Sequence, residues 1–345
     1  VLAEGLLATE LVDHAVAASV LDSGGWWAVV MTFEGRLDMW RFDTVRTAPR
    51  PVPRGTWTPV EAGAWTSSLG RAQYQDAVQE VRGRIRAGEV YQVNICRVLR
   101  AGIDVQADPW SLAERLAVGN PAPYAAVVDI PAGAVAGPGC RVVSASPELF
   151  LRREGDLVAS SPIKGTGVRA DDLLPKDDAE NIMIVDLVRN DLQRVCGPGS
   201  VEVSSLLRVE QHPGLVHLVS TVQGSLYPGT TWGSLFSALS PPASVSGAPK
   251  SSALRAISDL EPADRGPYCG AVGWVDADRG VACLAVGIRT FWWDDADLCF
   301  GTGAGITWES DPRREWEETC LKARRLLATA GPEYQNRTPR HAGLR

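Results

Sequence analysis

No stretch of this 345-residue chain is apolar for long enough to span a bilayer. No segment has the charged, apolar and small-residue order of a signal peptide. Together these point to no membrane partner and a cytoplasmic location. No CxxC pair occurs among the seven cysteines (Cys96, Cys140, Cys196, Cys269, Cys283, Cys299, Cys320), which are odd in number and widely spread. That excludes a zinc ribbon or a disulfide framework and fits reduced, mostly buried thiols. A basic excess is missing too. The net charge is −7, which argues against a nucleic-acid surface. An anionic small molecule is still allowed, because a local site can differ in sign from the whole. There is no internal repeat, no long low-complexity linker and no regular βαβ beat.

What the chain has is apolar material: 45% of its residues are hydrophobic, enough for one large domain or two ordinary ones. Residues 47–60 (TAPRPVPRGTWTPV) read as a loop and 331–345 as a loose tail. Tyr74, Val78, Val81 and Ile85 recur at helical spacing over 71–87, with Gly88 as the stop. VYQVNICRVL (90–99) reads as a strand. Residues 175–196 form a helix with acids in its first turn and Gly197-Pro198 as its end. The last helix begins at Asp311-Pro312, an N-cap followed by proline at the first helical position. Strands and helices in this mixture predict an α+β fold, antiparallel sheets with helices packed outside.

Several stretches could carry chemistry. In SPELFLRREGDLVASSPIKGT two strand-like arms flank a turn at Gly155-Asp156. A two-residue hairpin there sets Glu148 and Lys164 nearly opposite, one register step from direct pairing. A bulge would decide whether they share a face. Read locally, the pair is a cross-strand salt bridge or a catalytic acid beside an amine. Glu180 opens a helix that soon becomes almost wholly apolar, so its carboxylate needs a partner, and a hard cation is one solution. Glu315 and Glu318 point the same way on the last helix; a solvated face with Lys322 and Arg325 is the plain alternative. Gly301, Gly303 and Gly305 lack full dinucleotide spacing and read as room for backbone N–H groups to approach an anion. Arg289, just before them, adds a carboxylate-binding group. His217 lies alone in an apolar strand, where a satisfied core histidine is the plain reading.

The order of these stretches along the chain is more telling than any one of them. YQVN, SPELF, PIKGT, AENIMIVDLVRNDL, PGSV, VHLVS, SGAPK, RGPYCGAVG, GIRT, GTGAGI, SDP and EWEET run through residues 71–328. As a set they resemble the chorismate-utilising enzymes, and within them the aminodeoxychorismate synthase branch. The resemblance implies a chorismate-binding fold with the active site in a central cleft. It divides the chain into a short β-rich segment (1–70), a chorismate-binding catalytic domain (71–330) and a flexible tail (331–345). It implies one Mg²⁺, with Glu180 and Glu318 as ligands and Glu315 in support. Arg289, Tyr268 and the amides around Gly303 look like a carboxylate clamp, and Glu148 like a general acid at the departing C4 hydroxyl. His217, Ser246 and Thr166 match positions at the substrate.

Two positions sort the family. Water-using members have a lysine base where this chain has Gln92, which points to ammonia as nucleophile. Anthranilate synthases read PIAGT where this chain reads PIKGT; Lys164 is the mark of aminodeoxychorismate synthases, where the lysine attacks C2 of chorismate. The ammonia is expected from a separate glutamine amidotransferase subunit, since no Cys–His–Glu amidotransferase unit is evident here. The stretch SPPASVSGAPK departs from the usual pattern, with Ser246 where threonine is common, and the part before residue 71 is short. The LLES-type segment of tryptophan-regulated relatives is absent and NPAPY (120–124) matches only the other half of that pocket, so no tryptophan feedback is expected.

Overall fold

A computed structural model describes residues 1–332, apart from 168, 174, 213 and 214; of the side chains, those of 166, 175, 176, 212 and 215 also fall outside the description. Most of the expected tail therefore lies beyond the described residues. These form eighteen strands. The first seven are β1 (Leu2–Ala3), β2 (Leu6–Ala15), β3 (Trp26–Met31), β4 (Leu37–Thr47), β5 (Thr66–Ser67), β6 (Gln92–Gly102) and β7 (Tyr124–Ile130). Then come β8 (Cys140–Ser146), β9 (Leu149–Glu154), β10 (Leu157–Ser161), β11 (Ile163–Gly167), β12 (Glu202–His212) and β13 (Leu215–Ser225). The last five are β14 (Gly247–Ala248), β15 (Ala271–Asp276), β16 (Val281–Val286), β17 (Thr290–Asp294) and β18 (Asp297–Ile306). The helices are α1 (Arg71–Arg86), α2 (Pro109–Gly119), α3 (Pro175–Gln193), α4 (Trp232–Leu239), α5 (Lys250–Leu260) and α6 (Pro312–Ala330).

Every ladder is antiparallel. One ribbon runs β6-β18-β17-β8-β7. The other runs β2-β4-β3-β15-β16-β9-β10-β13. The two-residue strand β1 pairs with both β7 and β2 and joins them. The expected α+β class is therefore the observed one.

The helices cover the ribbons by the periodicity their sequences carry. Helix α1 turns Tyr74, Val78 and Val81 inward against Val93, Ile95 and Ile306. Each such side chain contributes roughly 1.5–3 kcal/mol when buried. Gly88, at φ +78°, ends the segment. Helix α6 lies beside α1, with Trp316 against Tyr74, and with α2 it packs further along the same ribbon, around Leu112, Leu116, Phe291, Phe300 and Leu326. Helix α3 lies over the second ribbon with Ile184, Val188 and Leu192 buried. Helix α6 starts where the sequence places it: the Asp311 carboxylate accepts the N–H groups of Arg313 and Arg314.

Candidate active site

The hairpin β9–β10 sets the site. Its turn at Gly155 gives the expected register, with Leu157 opposite Glu154 and Ala159 opposite Arg152. The register then shifts between Ala159 and Ser161. Pro162 has no N–H to continue the ladder. Strand β11 departs to pair with β13, which puts Lys164 opposite Leu218. Glu148 and Lys164 are thus not cross-strand partners, which corrects the simple hairpin expectation. The bulge separates them along the ladder, and a third segment brings them together.

That segment is the turn Ala243–Val245. The Lys164 Nζ donates to the backbone carbonyl of Ser244 at 3.4 Å. The Ser244 side chain and the Ile163 N–H act on the Glu148 carboxylate in favour of its charged form, and Ser244 lines the same cavity as Glu148. Glu148 is 3% exposed. Burial pushes its pKa up to about 7, against the pull of Ser244, Lys164, Ile163 and Arg289. Lys164 is half-buried. Burial lowers its pKa; Glu180, Glu148 and Glu318 oppose this and Lys322 adds to it. Environment therefore moves both groups toward their neutral forms. Ser244, Ser160, Asp191 and Glu148 also line one cavity, and Asp191 is ion-paired to Lys250 at 2.6 Å.

The acids come from two helices. Asn181, fully buried beside Glu180, donates to the Leu218 carbonyl at 3.1 Å and accepts from the Ser220 hydroxyl at 2.5 Å, which fixes α3 on β13. On α6, Glu318 pairs with Lys322 at 2.7 Å, and the Lys322 ammonium also donates to the Gly303 carbonyl at 3.2 Å. Glu315 lies one turn earlier, and both acids act on the buried Tyr74. Glu180 and Glu318 both act on Lys164, so two helices present carboxylates to one amine. Among the described residues no three His, Cys, Asp or Glu side chains form a ready metal cage. Carboxylates brought by two helices toward one amine are nevertheless hard donors of the kind Mg²⁺ takes, with substrate and water completing its shell. The residues fit that ion.

Arg289 holds φ +52°, an unusual value for a side chain of its kind, at the entry to β17. Its carbonyl accepts the Ala145 N–H at 3.0 Å. Its guanidinium is half-buried and has no hydrogen-bond or carboxylate partner among the described residues. Burial lowers its pKa to about 10, Arg325 adds to this, and Glu148 opposes it. A desolvated cation of this kind suits a carboxylate partner.

The three glycines of β18 lie tightly against other parts of the chain. A Cβ on Gly301 would lie within the Tyr268 ring, on Gly303 against Cys96 Sγ and the Ile95 carbonyl, and on Gly305 against Gln92 Nε2. They make room for the chain's own side chains. Beyond Phe300 the β17 edge of β18 has no strand partner among the described residues. Gln92 is 1% exposed and its Oε1 has no partner there. Tyr268, also buried, accepts from Cys96 Sγ at 3.9 Å. Ser246 donates its hydroxyl to the Pro242 carbonyl at 3.0 Å, so it braces the turn that carries Ser244. His217 is buried in β13 opposite Thr166, whose side chain lies outside the described residues.

Ser244, Lys322, Asn181 and the Asp191–Lys250 pair were not legible as site residues. SPPASVSGAPK carries several small hydroxyls, and only packing selects the one that meets Glu148. Lys322 had the spacing of a surface i, i+4 partner of Glu318, which it also is.

The family model for chorismate binding enzymes matches residues 40–328. Anthranilate synthase component 1 of Streptomyces coelicolor is 38% identical over 302 residues, covering 82% of this chain and 57% of that protein. Aminodeoxychorismate synthase component 1 of Salmonella typhimurium is 35% identical over 285 residues, covering 79% and 61%. The chain thus spans about three-fifths of the length of these relatives. Anthranilate synthase component I from Streptococcus pneumoniae shares the fold with a TM-score of 0.79 at 22% identity, over 93% of this chain and 91% of that one. A putative 2,3-dihydroxybenzoate-specific isochorismate synthase from Bacillus anthracis gives 0.79 at 25%, over 94% and 93%. The chain belongs to the family of chorismate binding enzymes.

Proposed function

We propose that the chain is component I of an aminodeoxychorismate synthase. It converts chorismate and ammonia to 4-amino-4-deoxychorismate through a covalent adduct on Lys164. The observation that carries this reading is the meeting of Lys164 and Glu148 on Ser244. An attacking amine must be neutral and a general acid must be protonated. Burial favours both states here.

In the first step the neutral Lys164 amine bonds to C2 of chorismate. Both ring double bonds shift by one position and the C4–O bond breaks. Glu148 gives its proton to the leaving hydroxyl, which departs as water. In the second step ammonia bonds to C4, both double bonds shift back, and the C2–N bond to Lys164 breaks. The proton lost by the incoming nitrogen returns to the lysine–carboxylate pair. Arg289 and Tyr268 hold one carboxylate of the substrate. Mg²⁺ held by Glu180 and Glu318, with Glu315 in support, supplies positive charge for the other. Gln92 cannot take a proton from water near neutral pH, which leaves ammonia as the nucleophile. A glutamine amidotransferase subunit is its source. No helix of the described residues is long and apolar enough to cross a membrane, and a cytoplasmic location is part of the same proposal.

Intact-mass spectrometry tests the step. Protein mixed with chorismate and Mg²⁺ without ammonia should gain the mass of chorismate less one water, and Lys164→Ala should not. The same adduct in the variant would remove Lys164 from the mechanism. A second reading, anthranilate formation, is favoured by the 38% identity to an anthranilate synthase component 1. It requires the amine at C2 and no lysine adduct.

A further inference from the structure

A buried ion pair behind the site is unused by the steps above. Arg265 and Glu261 meet at 2.6 Å with side chains 1% and 5% exposed. The Arg265 Nε also donates to Glu261, at 2.8 Å, so the contact is a two-bond fork. The two remaining directions of the guanidinium are spent on main-chain carbonyls of two other segments. One N–H reaches the Val245 carbonyl at 2.9 Å, beside Ser244. Another reaches the Asn94 carbonyl at 2.7 Å, two residues past Gln92. Glu261 in turn accepts the Cys96 N–H at 2.8 Å. The Arg265 carbonyl accepts the Tyr268 N–H at 3.3 Å. The Phe33 ring covers the guanidinium 4.1 Å from its centroid, and Glu34 accepts the Arg265 N–H at 2.7 Å.

We infer that Arg265, held by Glu261, is a positioning residue for the reaction. It pins the turn carrying Ser244, the strand carrying Gln92 and the loop carrying Tyr268 to one another. A core apolar residue could fill the space, but it could not set the distance between two carbonyls on different segments. A planar fork with five donors can. Because Ser244 accepts from Lys164 and lines the same cavity as Glu148, slack in its turn alters the approach of amine to acid, and errors of this kind reduce turnover steeply. The catalytic part of the inference rests on the function proposed above; the geometric part does not.

The test uses the full chain and two variants, Arg265→Lys and Glu261→Gln, first confirmed folded by circular dichroism. Lysine keeps the charge but cannot span both carbonyls. Amide hydrogen exchange is read over 243–249 and 92–96, and chorismate consumption is read with Mg²⁺ and ammonium. The expected result for Arg265→Lys is at least tenfold faster exchange in those two segments and unchanged exchange in β7–β8. With it should come a kcat at least tenfold lower at a KM for chorismate within threefold of wild type. Glu261→Gln, which keeps the acceptor, should show a smaller change in the same direction. A third variant, Arg265→Gly, should regain kcat on addition of millimolar guanidinium, which a general loss of stability would not allow. Unchanged exchange over 243–249, or unchanged kcat in folded Arg265→Lys, overturns the inference. Wild-type protein that consumes no chorismate refutes the proposed function instead, and the exchange data then decide the geometric claim by themselves.

Discussion

Lys164 and Glu148 meet at a single serine: the amine donates to the Ser244 carbonyl at 3.4 Å, and Ser244 lines the same cavity as Glu148 and acts on its carboxylate. Neither is the other's ladder partner. Their approach depends on a bulge in β9–β10, on Pro162 and on a turn eighty residues further along the chain.

The first prediction concerns stability and pH. Glu148 has its pKa raised from 4.5 to about 7 by burial. Below about pH 4.5 it is protonated whether the chain is folded or not, and it contributes nothing to pH dependence. As pH rises through 7, the unfolded chain has already released the proton and the folded chain resists doing so. Stability is therefore lost over that window, by about 3 kcal/mol in all. Glu148→Gln, which cannot ionise, should be more stable than wild type at pH 8.5 and close to it at pH 4.5. Urea titration at the two pH values measures this. Equal differences at both would mean that the carboxyl is not desolvated.

A second prediction follows for the rate of adduct formation without ammonia. It should pass through a maximum with pH. It falls on the acid side as Lys164 takes up a proton, and on the alkaline side as Glu148 loses one. Stopped-flow quench with mass detection gives the profile. Glu148→Gln should be slow at every pH and should lack the alkaline limb.

Arg289 provides a third. Its guanidinium makes no hydrogen bond among the described residues and feels Glu148 only at a distance, so it is open to a substrate carboxylate. A charge-assisted hydrogen bond contributes about 1.5–3 kcal/mol. Arg289→Ala should raise the chorismate dissociation constant by roughly 10- to 100-fold, as read by calorimetry, with little change in the melting temperature. Binding within twofold of wild type would move the carboxylate site elsewhere.

The fourth concerns the metal. Glu180→Gln and Glu318→Gln should each weaken Mg²⁺ binding by at least tenfold in calorimetry with chorismate present. Chelation with EDTA should abolish chorismate turnover by wild type. Full turnover in EDTA would exclude the metal from the reaction.

The fifth is a packing test. A Cβ on Gly301 would overlap the Tyr268 ring. Gly301→Ala should therefore cost about 1–3 kcal/mol and raise KM for chorismate by displacing Tyr268. An unchanged KM would take Tyr268 out of the substrate site.

Much of this architecture is readable in the sequence, for physical reasons. Tyr74, Val78 and Val81 repeat at helical spacing, and Asp311-Pro312 is a local start signal, so α1 and α6 follow from short-range chemistry. The turn at Gly155 fixes the first three hairpin pairs in the same way. The bulge after Ala159 is not written locally. It comes where the chain passes through Pro162 from β10 into β11, which pairs with β13 and not with β9. Gly301, Gly303 and Gly305 show the same limit. Their spacing signals close approach, but not whether a ligand or Tyr268, Cys96 and Gln92 comes close. Ser244 and Arg265 are set by contacts between segments far apart in the chain, which no window of sequence contains. The roles proposed for Glu148, Lys164, Glu180 and Arg289 rest on the order of many motifs and not on any one of them.

The most direct measurement is of the product itself. Purified protein is given chorismate, Mg²⁺ and ammonium above pH 8, and the products are separated by chromatography and mass. A 4-amino-4-deoxychorismate peak, converted to p-aminobenzoate by an added lyase, is the expected result. Fluorescent anthranilate in its place would contradict it, and would mean that the pocket around Lys164 directs the amine to C2.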